Sequence, residues 1–265
     1  LSPYFPEYLF YVDNFGIKPI IVETDENFNP DINSIEKAIT QKTRGVIINS
    51  PNNPTGNIYK KTFYQSLNDL LLKKGKDIGR PIYVLADDPY YKLAYDSLTP
   101  PRAFQHVKNC IMTTSHSKDL SIPGERIGYL AFNPNCEDLK ELVNGAVFCS
   151  SRALGYVNAP AVAQRIVTKL QSLPVDVKGY EFKRNLLYNS LTEMGYEIIK
   201  PSGAYYLFPK SPITNDISFV EKLQKQRVLT VPGTGFGRPG YFRIAYCVSD
   251  ETIEKSLDRF KQALE

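Results

Sequence analysis

One lysine, Lys118, follows a β-branched run in TTSHSKDLSIPGERIGYLAF (113–132), and Arg126 stands eight positions later in a glycine frame. A primary amine held in a turn of small residues can attack a carbonyl carbon, and a guanidinium can hold a phosphate or carboxylate through two parallel donors. Two other apolar runs also end on polar side chains. GVIIN (45–49) is followed by SPNNPTG, which contains Asn53, and IYVLA (82–86) is followed by Asp87 with Tyr90 close behind. An amide, a carboxylate with a phenol, and an amine flanked by Ser115 and Ser117 therefore fall at three successive strand ends. In an open parallel sheet, the carboxyl ends of the strands are where ligands gather.

Singly, each residue has a plainer reading: Asn53 as a turn residue, Asp87 as a helix cap, Lys118 as a solvated surface lysine. Jointly they match the demands of pyridoxal 5′-phosphate. Its aldehyde condenses with a lysine amine, the role open to Lys118, and its ring nitrogen stays protonated beside a buried carboxylate, the role open to Asp87. Its phenolic oxygen takes donors such as Tyr90 and Asn53. Ser115, Ser117 and Arg126 are candidates for its phosphate, with Gly124 and Gly128 letting the backbone pass close by.

The elements that must position these groups alternate along the chain. Strands are predicted at PIIVE (19–23), GVIIN, IYVLA, CIMTTS (110–115) and IGYLAF (127–132), the last three apolar on both faces as buried central strands are. Helices are predicted from Asp31 to about Thr40 and over TFYQSLNDLLLKKG, with Gly75 as its stop. The first residues, LSPYFPEY, read as a strand end entering a loop. After Cys136 the pattern turns helical (EDLKELVNGAVF, APAVAQRIVTKLQ, and Val175 to Met194), then alternates again to a closing helix with Ile253, Leu257, Phe260 and Leu264 on one face. Strands alternating with helices imply an α/β domain with a mostly parallel sheet, followed by a small α+β lobe.

As a set, these stretches resemble the fold-type I, class I and II aminotransferases, typified by aspartate aminotransferase. SPNNPTG, ADDPYYKLAYD, S-x-S-K with its arginine in PGERIGY, PSGAYYLFP, VPGTGF and FRIAY occur in that family's order over essentially the whole chain. The resemblance implies an aminotransferase-like PLP-dependent transferase fold, with a cofactor-binding large domain at 1–178 and a C-terminal small domain at 179–265. It implies that Phe5 stacks on the cofactor ring, that Asn53 and Tyr90 serve the phenolic oxygen, and that Asp87 serves the ring nitrogen. Ser115 and Arg126 would hold the phosphate, and Lys118 would be the Schiff-base lysine and the proton-transferring base. Arg243 would clamp the substrate α-carboxylate beside Asn53; Ser117 is not carried over.

The reaction implied is amino transfer between an α-amino acid and a 2-oxo acid in a homodimer. The same site would also serve carbon–sulfur β-elimination, or effector sensing in a domain fused to a transcriptional regulator. Arg152, in SSRALGYVNAP, lies near where dicarboxylate-specific members place an arginine that reaches the neighbouring subunit's site; an ion pair at the surface or interface is the other reading. Family members carry a further N-terminal segment that helps cradle the phosphate. The chain, which opens on Leu1, is therefore expected to be N-terminally incomplete and inactive or poorly active alone.

Bulk properties narrow the partners. Lysine and arginine total 32 against 28 acidic residues, and the interspersed signs of this net +4 chain give no concentrated field for nucleic acid or a membrane surface. No apolar stretch approaches the roughly 18–20 residues of a membrane span. Four scattered cysteines read as thiols of a reducing, cytoplasmic compartment. GFGRPG (235–240) mimics a dinucleotide fingerprint, but Pro239 and the strand-like YFRIAY deny it the helix that it needs. Asp87 and Asp88 are adjacent strand residues that point to opposite sides and cannot flank one bond. His106 and His116 lack metal-ligand spacing and read as loop residues.

Overall fold

Asp31 accepts a hydrogen bond from the Ser34 amide at 2.8 Å, satisfying a helix N-terminus where the sequence places one. In the computed structural model, which describes residues 1–173 and 175–265, α1 (Glu7–Asp13) and α2 (Ile32–Ala38) lead into β1 (Gly45–Asn49). Then follow α3 (Lys61–Ile78), β2 (Tyr83–Asp87), α4 (Ala103–His106), β3 (Cys110–Ser115), α5 (His116–Asp119), β4 (Gly128–Phe132), α6 (Leu139–Phe148), a π-helical turn (Cys149–Ala153) and α7 (Ala161–Leu170). β1, β2 and β3 are parallel neighbours in that order, in register from Gly45↔Tyr83 to Asn49↔Asp87. Their carboxyl ends therefore lie side by side.

Phe63, Leu67, Leu70 and Leu71 fall on one face of α3 and pack on Ile48, Val84, Ala86, Cys110 and Met112 of the sheet. Burial of each such side chain is worth roughly 1.5–3 kcal/mol, which fixes the strands that carry the site. The helix does not stop at Gly75. It continues to Ile78 and ends on Gly79 at φ +80°, while Gly75 is buried against the Arg80 carbonyl oxygen, 3.1 Å from where a Cβ would sit. Glycine serves close packing at the first position and a left-handed cap at the second.

Three expectations about strands are corrected. β4 is an antiparallel edge strand, not a buried central one, with Tyr129 and Leu130 exposed. Among the described residues the helical layer packs against the face that carries Val84 and Ala86, and Leu85 of β2, on the other face, is 39% exposed. PIIVE forms no strand. Glu23 bridges to Ser2, and Ile20 and Ile21 stand exposed because no strand among the described residues lies alongside to share a ladder. Three local readings also change: LSPYFPEY enters helix α1, and His106 and His116 belong to the short helices α4 and α5.

A second core forms around α8 (Val177–Glu193), β5 (Tyr206–Leu207), α9 (Asp216–Lys225), β6 (Val231–Pro232), β7 (Phe242–Ala245) and α10 (Asp250–Gln262). Its antiparallel sheet has the order β5-β7-β6. Leu187, Leu191, Phe219, Phe242, Ile253 and Phe260 fill it, and Tyr90, Leu93 and Tyr95 enter it from the loop after β2. That loop is thus held by both cores. No helix among the described residues is long and apolar enough to cross a membrane.

Arg184 of α8 is completely buried, yet it meets Asp96 at 2.7 Å and Glu181 at 3.2 Å, donates to the Pro201 carbonyl at 3.0 Å, and lies over Tyr95. It ties the loop after β2 to α8. Arg184→Met is expected to destabilise the fold by about 3 kcal/mol, because two carboxylates and a carbonyl lose their donor together. Urea unfolding of the two proteins checks this, and a midpoint unchanged by the substitution would contradict it.

Candidate active site

Asn49, the last residue of β1, organises the strand ends. Its Nδ2 donates to the Asp87 carbonyl at 2.9 Å, and its Oδ1 accepts from the Asn53 amide at 2.7 Å. Asn53 is buried in the loop that SPNNPTG forms, and its Oδ1 accepts from Arg243 Nη1 of β7 at 2.9 Å. With Oδ1 so engaged, Nδ2 remains a donor without a partner among the described residues. The Arg243 guanidinium lies 4.6 Å from the Tyr206 ring centre and 4.7 Å from that of Phe236, and its buried Nε has no hydrogen-bond partner among the described residues. The two sheets meet across this arginine.

Asp87 ends β2 and receives a hydrogen bond from the Tyr8 hydroxyl of α1. Burial raises its pKa, since a charged carboxylate loses solvation there, and the Tyr8 donor partly offsets that rise. Burial and the neighbouring Asp87 charge raise the Tyr8 phenol well above its ordinary value, which keeps it a donor. Phe5 packs edge-on against Tyr8 at 5.6 Å. Tyr90 is buried with its hydroxyl 3.0 Å from that of Tyr206, and burial raises its pKa well above the usual phenol range. Asp88 faces the other way and pairs with Arg102 at 3.0 Å, so the two adjacent carboxylates are divided as the strand period requires.

Lys118 sits in α5, straight after β3, with its Nζ 5.5 Å from the Tyr205 ring centre. Desolvation lowers its pKa, and the charges of Arg243 and Arg126 lower it further. None of these three cations pairs with a carboxylate among the described residues. A half-buried amine, two guanidiniums, a buried acid, two phenols and an amide donor, supplied by neighbouring strand ends and by β7, fit a ligand that carries a carbonyl, a phosphate and a cationic ring nitrogen. These are the features of pyridoxal 5′-phosphate.

Ser115 pairs with Gly128 across β3 and β4, and a Cβ at Gly128 would lie 2.3 Å from the Thr114 carbonyl oxygen, so glycine is required for that approach. Gly124 has no such role, since nothing lies within 4 Å of a Cβ built there. The left-handed residue of this turn is Arg126 itself, at φ +48°; its guanidinium is exposed and donates to the Pro123 carbonyl at 2.7 Å. Arg152 stands exposed in the π-helical turn, and among the described residues it forms no ion pair or hydrogen bond with the other site residues. Asn49, Tyr8, Tyr205 and Tyr206 are site neighbours that the sequence reading missed. Only Asn49, a polar residue closing a β-branched run, offered a local signal.

The fold is an α/β enzyme scaffold of the PLP-dependent transferase type. Residues 1–260 match the family model described as aminotransferase class I and II, and the chain belongs to that family, whose cofactor is pyridoxal 5′-phosphate. A Methanocaldococcus jannaschii protein described as a probable aspartate aminotransferase is 31% identical over 92% of this chain, which spans 64% of that protein's length. A Thermus thermophilus aspartate/prephenate aminotransferase is 32% identical over all of this chain, which spans 68% of it. The crystal structure of an amino transferase from Eubacterium rectale superposes with a TM-score of 0.93 at 43% identity, covering 99% of this chain and 66% of that one.

Proposed function

We propose that the protein is a PLP-dependent aminotransferase that moves an amino group between an α-amino acid and a 2-oxo acid. The observation that carries this reading is the Lys118 amine, without a carboxylate partner among the described residues, placed straight after β3, whose neighbour β2 ends on the buried Asp87. Bound there, the cofactor supplies an aldehyde that condenses with amines and a cationic ring that withdraws electrons from the substrate α-carbon. Asp87 would hold a proton on the ring nitrogen, with Tyr8 keeping the Asp87 carboxylate in place. Asn53 Nδ2 and the Tyr90 hydroxyl would donate to the ring's oxygen. Ser115 and Arg126 would hold the phosphate, and Phe5 would cover the ring.

Arg243, braced by Asn53 and two aromatic faces, would take the substrate α-carboxylate and so orient the α-carbon. Lys118 Nζ would take the proton from the substrate α-carbon and hand it on, a task that suits an amine whose pKa burial lowers. The 1–178 and 179–265 segments serve as the cofactor-binding and small lobes. The relatives' names favour a dicarboxylic donor such as aspartate or glutamate, with Arg152 pairing its side-chain carboxylate across a homodimer. Cys110 and Cys136, free although both are buried, suit a reducing cytoplasmic setting. The aminotransferase relatives give no support to β-elimination or effector sensing.

The test is a spectrum with added cofactor followed by borohydride, then an assay for glutamate formed from 2-oxoglutarate. Cofactor fixed on Lys118 and aspartate-dependent glutamate support the proposal; release of pyruvate and ammonia instead of glutamate would replace it with elimination.

A further inference from the structure

Behind the turn that carries Lys118 lies a cavity of about 460 Å³ lined by Asp88, Lys92, Arg102, His116, Asp119 and Tyr129 among others, and by neither Lys118 nor Asp87. Charged side chains meet in it that have no part in the mechanism above. The Asp119 carboxylate accepts from His116 Nδ1 at 3.1 Å and pairs with Lys92 at 3.2 Å, and Lys92 also donates to the Gln171 carbonyl at 3.0 Å. His116 is buried, and only 13% of the Asp119 side chain is exposed, so water screens this chain less than an ordinary surface pair.

α5 is four residues long, too short to hold its shape by its own hydrogen bonds. Its backbone is anchored at one end by the His116 amide on the Ile127 carbonyl at 3.0 Å, while its exit rests on long bonds of 3.4 Å from Leu120 and Ile122 to the His116 carbonyl. The side chains on either side of Lys118 supply the rest. His116 and Asp119 clasp each other on the cavity side of the turn, and Lys92 joins them to the loop that follows Asp87 and carries Tyr90.

We infer that Lys92, Asp119 and His116 are positioning residues, a polar chain that locks the Lys118 turn to the loop after β2 and so sets where the amine stands relative to Asp87. The inference concerns the site assigned above and rests on that reading for its meaning in catalysis, but its geometry can be tested without cofactor. Lys118 Nζ lies over the Tyr205 ring, the charges of Cys247, Arg243 and Arg126 act on it through space, and burial is the main cause of its lowered pKa. A turn released from its clasp lets the amine regain water.

The experiment is the pH dependence of Lys118 acylation by acetic anhydride in the chain without cofactor, read by peptide mass spectrometry. Asp119→Asn is expected to raise the labelling midpoint by about one unit, as resolvation of a buried amine does, and Asp119→Glu to bring it back. The sign is decisive, because loss of a negative charge acting through space alone would lower the midpoint. A lower or unchanged midpoint in Asp119→Asn overturns the inference. Lys92→Met, with the carboxylate left in place, is expected to show the same rise, and a wild-type midpoint in that variant removes Lys92 from the chain. Failure of the wild-type protein to fix cofactor on Lys118 would instead count against the proposed function and leave the labelling result standing.

Discussion

Lys118→Ala leaves a folded protein that no longer fixes cofactor covalently, and its amino-transfer rate falls by at least about 10⁴-fold. The size follows from the two roles that one amine holds: loss of a positioned acid–base group alone costs roughly 10²–10⁴, and loss of the nucleophile adds to it. Lys118→Arg does not rescue, because a guanidinium stays protonated and can neither condense with an aldehyde nor accept the α-proton. Stability moves the other way. The Lys118 pKa is lowered from its ordinary 10.5 by burial and by Arg243 and Arg126, so between the lowered and the ordinary value the unfolded chain binds more protons and stability rises with pH. Lys118→Ala removes that slope and relieves the repulsion at lower pH, so its melting temperature equals or exceeds that of the wild type. Borohydride fixation, glutamate formation and melting curves from neutral to alkaline pH check all three, and a variant that still fixes cofactor on another lysine would displace Lys118 from its role.

What the sequence made legible has a simple physical basis. Asn53, Asp87 and Lys118 each follow a run of β-branched or aliphatic residues, and parallel neighbours must bring such strand ends together. Tyr8 was illegible because its partner Asp87 lies 79 residues away and is reached from a helix that the sequence suggested only as a loop. Asn53 and Arg243, separated by 190 residues, were each named for the cofactor or substrate, but the hydrogen bond that aligns them appears only when the two sheets meet. PIIVE shows the opposite failure: its side chains suit a strand, but a strand exists only if a neighbour accepts its backbone bonds. Gly75 shows a third, since glycine marks close packing as readily as a helix end, and the chain alone does not say which.

Asp87→Asn separates charge from shape, because the amide keeps the size of the carboxylate and can still accept from Tyr8. Its amino-transfer rate is expected to fall about 10²–10³-fold with cofactor still attached to Lys118, since a neutral amide cannot hold a proton on the ring nitrogen. The unloaded protein gains stability at the same time. Burial raises the Asp87 pKa above its ordinary 3.8, so between those values the folded chain binds more protons than the unfolded one and stability falls as pH rises. Removing the charge removes that loss at neutral pH. Tyr8→Phe probes the opposite term: without the phenol's hydrogen bond the Asp87 pKa rises further, and the acid limit of cofactor binding moves to higher pH. Binding titrations across pH, run beside glutamate formation, distinguish the two substitutions, because one removes the charge at every pH and the other only shifts where it appears. A near-wild-type rate in Asp87→Asn would mean that the ring nitrogen needs no carboxylate here, and the assignment of Asp87 would fall with it.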